Sequence, residues 1–226
     1  MKNLFILFTL ILSFDLLGQR SIDDSLRELI KKQTVAIEKN PKDVNSYYNR
    51  GLNKMRLKDN EGALVDLNTA IQLNPDYDTA YNVRGYTKHL LKDYEGAIKD
   101  YDKTIALNPK FVSAYSNRGF SKYFSKDYKG AIEDYSKTLE LAPKSALAVA
   151  AYYYRGINKY WLNDFKGGIE DFSKVIEIHP TDGLAHLNKG NCKFKLRDNE
   201  GACSDWKKAD ELGQKNAKEL LSKYCK

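Results

Sequence analysis

Small and apolar positions return along this chain in a two-part rhythm. Between Asp93 and Asn108, Ala97, Ile98, Tyr101 and Ile105 fall on one face at helical spacing, with polar residues between them. The same pattern recurs before and after this stretch. Each copy is preceded by a polar break, at Lys58-Asp59-Asn60, Lys92-Asp93-Tyr94, Lys126-Asp127-Tyr128, Asn163-Asp164-Phe165 and Arg197-Asp198-Asn199. The first four copies stop at Asn-Pro, Ala-Pro or His-Pro, because a residue before proline is biased away from helix. Pro41, Pro75, Pro109 and Pro143 stand 34 residues apart, and Pro180 follows after 37. The pattern predicts pairs of short helices, repeated about five times.

Four landmarks set the register. Tyr47, Tyr81, Tyr115 and Tyr152 each precede Arg50, Arg84, Arg118 and Arg155 by three residues, and Gly51, Gly85, Gly119 and Gly156 follow the arginines. Ala63, Ala97, Ala131 and Gly168 lie 12 residues past those glycines, with Leu67, Tyr101, Tyr135 and Phe172 four further on. A degenerate fifth copy shows His186, Lys189, Gly190, Ala202 and Trp206. Small residues at matched places let two helices approach closely, and large ones fill the flanking gaps.

These residues closely resemble the tetratricopeptide-repeat (TPR) family, whose unit is a helix–turn–helix of 34 residues with a glycine, a small residue, aromatics and a terminal proline at such offsets. The resemblance implies an all-α, right-handed superhelical solenoid. Its units are expected at 44–77, 78–111, 112–145, 149–182 and 183–213, after a half-unit helix at 21–41 and before a capping helix at 214–226. Tyrosine replaces the family's usual first-helix tryptophan. Three extra residues near Ala146 to Ala148 are expected to lengthen the fourth unit's first helix. Ser21 is expected to cap the half-unit helix, and Gly213 to end the fifth unit. One unit cannot be stable alone, so stacking must supply the rest.

The repeating arginine is the most chemically suggestive feature. Four guanidinium groups in register suit a carboxylate or phosphate ligand. Each copy also repeats an aspartate, however: Asp66, Asp100, Asp134 and Asp171, with Asp205 in the fifth. The expectation is an internal structural ladder of Arg50, Arg84, Arg118 and Arg155 with these aspartates; which copy's aspartate each arginine meets is open. By resemblance, the partner-binding groove is lined by Tyr48, Asn49, Leu52, Asn82, Val83, Tyr86, Ser116, Asn117, Phe120, Tyr153, Tyr154 and Ile157. The plainer reading places half of these aromatics in the core. TPR domains that bind C-terminal carboxylates carry a Lys/Asn/Arg clamp, but Tyr48 and Leu52 stand where Lys and Asn belong. An extended peptide or an amphipathic helix is therefore the expected ligand.

Charge and cysteines change this picture little. The formal net charge is +7, yet Lys and Arg alternate with Asp and Glu and form no basic block, so no nucleic-acid partner is expected. Lys2 and the apolar run Leu4 to Phe14 read as a secretory signal peptide over 1–18, with cleavage after Gly18; a retained anchor is the alternative. The run is too short for a membrane helix, which needs roughly 20 residues. Export would place Cys192, Cys203 and Cys225 in an oxidising compartment. Exported bacterial TPR proteins end on a similar cysteine pair, which implies Cys203–Cys225; Cys192–Cys203 or no bond remain open. No metal, cofactor or catalytic constellation is expected: His89, His179 and His186 are isolated, and the carboxylate pairs recur with the repeat. The expected function is a non-enzymatic, periplasmic or secreted protein–protein interaction scaffold. The alternative is a binder of an anionic envelope glycan or lipopolysaccharide through the basic surface.

Overall fold

The structure, a computed structural model, describes the backbone of residues 2–225 and the side chains of residues 21–225. The signal segment expected at 1–18 lies outside these described side chains. Among the described residues there are twelve helices and no strand. The chain divides into two compact units between Leu107 and Asn108. The first holds α1 (Lys2–Lys39), α2 (Val44–Arg56), α3 (Asn60–Leu73), α4 (Asp78–Leu90) and α5 (Tyr94–Leu107). The second holds α6 (Val112–Phe124), α7 (Tyr128–Leu141), α8 (Ala146–Trp161), α9 (Phe165–Ile178), α10 (Gly183–Lys195), α11 (Asn199–Glu211) and α12 (Lys215–Tyr224). Within each unit, consecutive helices pack together. First helices of successive hairpins also touch: α2 with α4, α6 with α8, and α8 with α10. No described helix is long and apolar enough to cross a membrane.

The polar breaks divide their labour residue by residue. Lys58, Lys92, Lys126, Asn163 and Arg197 take left-handed backbone, with φ between 62° and 67°, which turns the chain back on itself. The next residue caps the second helix. Asp59, Asp93, Asp127, Asp164 and Asp198 each accept the amide of a glycine three residues on, at 2.9 to 3.0 Å. A Cβ on Gly62, Gly96, Gly130, Gly167 or Gly201 would lie 2.1 to 2.3 Å from Oδ2, the other oxygen of the capping carboxylate, so it would push that carboxylate aside. The glycine therefore leaves the capping carboxylate in its place.

The landmark glycines have a more specific reason than close helix crossing. A Cβ on Gly51 would come within 2.9 Å of Leu67, on Gly85 within 2.9 Å of Tyr101, and on Gly190 within 2.6 Å of Trp206. Each glycine makes room for the large side chain of its own hairpin's second helix, and Leu67, Tyr101, Tyr135 and Phe172 are fully buried as a result. The three extra residues lengthen α8 to 16 residues, against 13 in α6 and α10. One expectation fails. Ser21 does not cap a helix but lies within α1, where its carbonyl accepts the Ser25 hydroxyl at 2.8 Å. No proline interrupts that segment, so nothing forces a start there.

Candidate functional site

Each repeating arginine meets the aspartate of its own hairpin. Arg50 Nε and Nη2 donate to the two Asp66 oxygens at 2.9 and 2.7 Å. Arg84 does the same to Asp100 at 2.9 and 2.6 Å, and Arg155 to Asp171 at 3.0 and 2.6 Å. Arg118 grips Asp134 in the same two-point manner. These planar, charge-assisted pairs are the strong kind of hydrogen bond. The bond to Asp66 raises the Arg50 pKa above its ordinary value. A third arginine nitrogen reaches the helix before its own hairpin: Arg50 Nη1 donates to Thr34 of α1 at 3.1 Å, Arg84 to Asn68 of α3 at 2.8 Å and Arg155 to Ser136 of α7 at 3.1 Å. The tyrosine three residues earlier lies under each guanidinium, with centroid distances of 5.3 to 5.6 Å.

Sequence reasoning missed the second cation. Lys54, Lys88, Lys122 and Lys159 reach the same four aspartates at 2.8 to 3.0 Å. Their recurrence four residues after each arginine was the available signal. In the fifth hairpin Lys189 and Lys193 flank Asp205 at 3.2 and 2.7 Å, and His186 stands where the tyrosine was.

The groove positions divide differently. Val83 is not a groove residue: it is buried with Ala63 and Leu67, because its place on α4 faces α3. Tyr48 and Leu52 are half-buried against that same core, Asn49 and Tyr86 are exposed, and Asn82 is half-buried. In the second unit Ser116, Asn117, Phe120 and Tyr154 converge with Tyr135 and Ala150 around a pocket of about 170 Å³ between α6 and α8. Phe120 meets Tyr154 edge-on at 5.0 Å. Tyr154 in turn stacks on the buried Tyr135 at 5.9 Å, so it belongs to both core and groove. Burial raises the hydroxyl pKa of Tyr153 and Tyr154. Tyr153 accepts a hydrogen bond from Asn188 of α10 at 3.0 Å, and Ile157 is half-buried.

A second cleft, of about 370 Å³, lies at the end of the second unit and was not read from the sequence. Leu187 and Asn191 line it, holding in α10 the offsets that Tyr153 and Ile157 hold in α8. The degeneracy of the fifth copy hid them. Phe194, Trp206 and Tyr224 form an aromatic cluster there, with centroids 4.6 to 6.1 Å apart. A disulfide joins Cys203 of α11 to Cys225 at the end of α12, with a Cα separation of 5.7 Å. Cys192 is a buried free thiol, and burial pushes its pKa up to about 12.

Comparison with known proteins completes the description. Two family descriptions reading "Tetratricopeptide repeat" match residues 44–77 and 150–182, and one reading "TPR repeat" matches 85–124. This is a tetratricopeptide-repeat protein. Its fold is the all-α TPR solenoid, and solved TPR structures share it. The crystal structure of YrrB, described as a TPR protein with an unusual peptide-binding site, superposes with a TM-score of 0.75 at 21% identity, covering 84% of this chain and 97% of YrrB. MamA from Desulfovibrio magneticus RS-1 gives 0.71 at 24% identity, covering 75% of this chain and 94% of MamA. A TPR protein from Parabacteroides merdae gives 0.59 at 24% identity, covering 90% and 79%. No curated protein sequence matches the chain.

Proposed function

We propose that this TPR protein is a non-enzymatic interaction scaffold of the bacterial cell envelope that binds an extended segment of a partner protein along its first helices. One observation carries the reading. From Ser116 through Asn117, Phe120, Tyr153, Tyr154 and Ile157 to Leu187, Asn188 and Asn191, the groove positions of the second unit are aromatic, aliphatic, hydroxyl or amide and hold no charge. They close on the pocket at Phe120 and Tyr154. Neutral rings and amides suit a peptide backbone with apolar side chains. YrrB, which shares the fold, is described by its peptide-binding site. The signal-like leader and the Cys203–Cys225 bond support export to an oxidising compartment.

Charge argues against the glycan alternative. Ten cations surround five aspartates in the ladder, and ten less five leaves five of the formal net charge of +7 inside the stack. Ten of the basic side chains are thus tied to aspartates within the hairpins rather than spread over the open surface. The test is capture from envelope extract by the chain from Gln19 onward, at low and high salt, beside the Tyr154→Ala variant. A partner held at high salt and lost with Tyr154→Ala is the expected result, because screening spares apolar contacts. Retention of anionic glycan alone, only at low salt, would overturn it.

A further inference from the structure

The C-terminal cleft is built on a short helix held by a small apolar seam and one covalent bond. Helix α12 has ten residues, and Ala217 is its one fully buried member among the described residues. A helix that short is marginal in water on its own. Leu220 and Leu221 lay it against Leu187, Trp206 and Ala209, and Tyr224 meets the Phe194 and Trp206 rings. The Cys203–Cys225 bond pins its far end, next to Tyr224, whose carbonyl also faces the Cys203 sulfur at 3.9 Å. Both cysteines are partly exposed, so a reductant can reach them.

What α12 completes is the last stretch of the groove. Tyr160 of α8 and Asn191 and Phe194 of α10 form one wall of the cleft; Glu219 and Tyr224 of α12 form the other. Asn191 accepts the Trp206 indole N–H at 3.0 Å, and its own amide N–H groups meet no acceptor among the described residues. The cleft therefore offers donors for a backbone carbonyl beside an aromatic floor. These helices are the ones that line the groove upstream, so a segment lying past Tyr154 and Ile157 runs on into the cleft.

We propose that the Cys203–Cys225 disulfide gates this terminal subsite. Oxidised, the chain binds an extended peptide segment of its partner here, with a large apolar side chain on Phe194 and Tyr224 and a backbone carbonyl on Asn191. Reduced, α12 swings away and the subsite is lost. The inference rests on the groove reading above and adds its regulation. The reductant is a dithiol. Its thiolate attacks the bond, the S–S bond breaks, Cys203 and Cys225 each end as a thiol, and the reductant's two sulfurs close into a disulfide. Loop closure over 22 residues sets the stake, up to about two orders of magnitude in the docked-to-undocked ratio of α12. Cys192 takes no part, being buried beside Gly168.

The test uses the full chain and short peptides selected on its oxidised form from a displayed random library. A class of these peptides is expected to lose about tenfold or more in affinity on reduction, in Cys203→Ser/Cys225→Ser and in Asn191→Ala, while ignoring Lys174→Gln, which breaks only an exposed ion pair outside the groove. Hydrogen exchange over 215–224 should speed up on reduction while α6 and α7 stay unchanged. Peptides that bind equally before and after reduction, with α12 still protected, overturn the gate; if Tyr154→Ala still weakens them, the groove reading survives. Peptides indifferent to Asn191→Ala, Phe120→Ala and Tyr154→Ala alike overturn both.

Discussion

Asp171 sits between Arg155 and Lys159, with its side chain 3% exposed. Asp171→Asn keeps the shape and removes the charge that two cations share. Breaking a buried pair costs more than the pair contributes, because the remaining charges stay desolvated. The expected loss is about 3 kcal/mol, read as a lower denaturation midpoint. Lys174→Gln, which breaks the solvent-exposed pair with Glu177, should leave the midpoint where it is. A second residue-scale test concerns Gly168, where an added Cβ would lie 3.0 Å from the Cys192 sulfur. Gly168→Ala should leave the midpoint nearly unchanged, its helix-propensity gain of about 1 kcal/mol offset by overpacking, and should stabilise by about 1 kcal/mol in a Cys192→Ala background. The Arg–Asp ladder was legible because opposite charges recur at one spacing. The lysines that share the aspartates were not, since lysine also recurs on solvated faces. Val83 was misplaced because the groove was carried over by offset, and an offset does not say which wall of a helix faces its neighbour.

At the scale of the helix, the cap and its glycine can be separated by a cycle of variants. Asp127→Ala should cost about 1 kcal/mol by freeing the Gly130 amide. Gly130→Ala alone should gain little: helix propensity favours alanine by about 1 kcal/mol, but the new methyl pushes the Asp127 carboxylate off its amide. In an Asp127→Ala background the same change should stabilise by about 1 kcal/mol. Denaturant midpoints of the four proteins check this; equal effects of Gly130→Ala in both backgrounds would show that the cap does not explain the glycine. The breaks themselves were plain in the sequence. Their division into a left-handed residue and a cap was not, because lysine carries no chemical sign of left-handed backbone. The first helix was misread at Ser21 for a related reason: a serine is a cap only where the helix actually begins.

Across the molecule, buried acids of the alkaline range set a common limit. Burial raises Cys192 from 9.0 to about 12, and raises Tyr48, Tyr153, Tyr154 and Tyr160 above their usual 10.0. Each therefore holds its proton more tightly folded than unfolded. Their contribution is complete below the unfolded values and falls away as pH climbs through the folded ones. The melting temperature should be level near neutrality and drop steadily above about pH 9, and Cys192→Ala should blunt the first part of that drop. A level midpoint up to pH 11 would contradict it. The repeat period made the hairpin stack legible from the chain alone, while the terminal cleft stayed hidden in a copy that had drifted from its siblings. The arginine that reaches back to the helix before its hairpin has a hereditary consequence. Arg50 reaches Thr34 and Arg84 reaches Asn68, each across 16 residues. Excising residues 44–77 from the gene would hand Thr34 to Arg84 in place of Asn68, and every remaining arginine would still find its mates. A deletion that is not a whole number of copies would strand them. The ladder is thus a ruler against which unequal recombination is measured, and only whole copies pass.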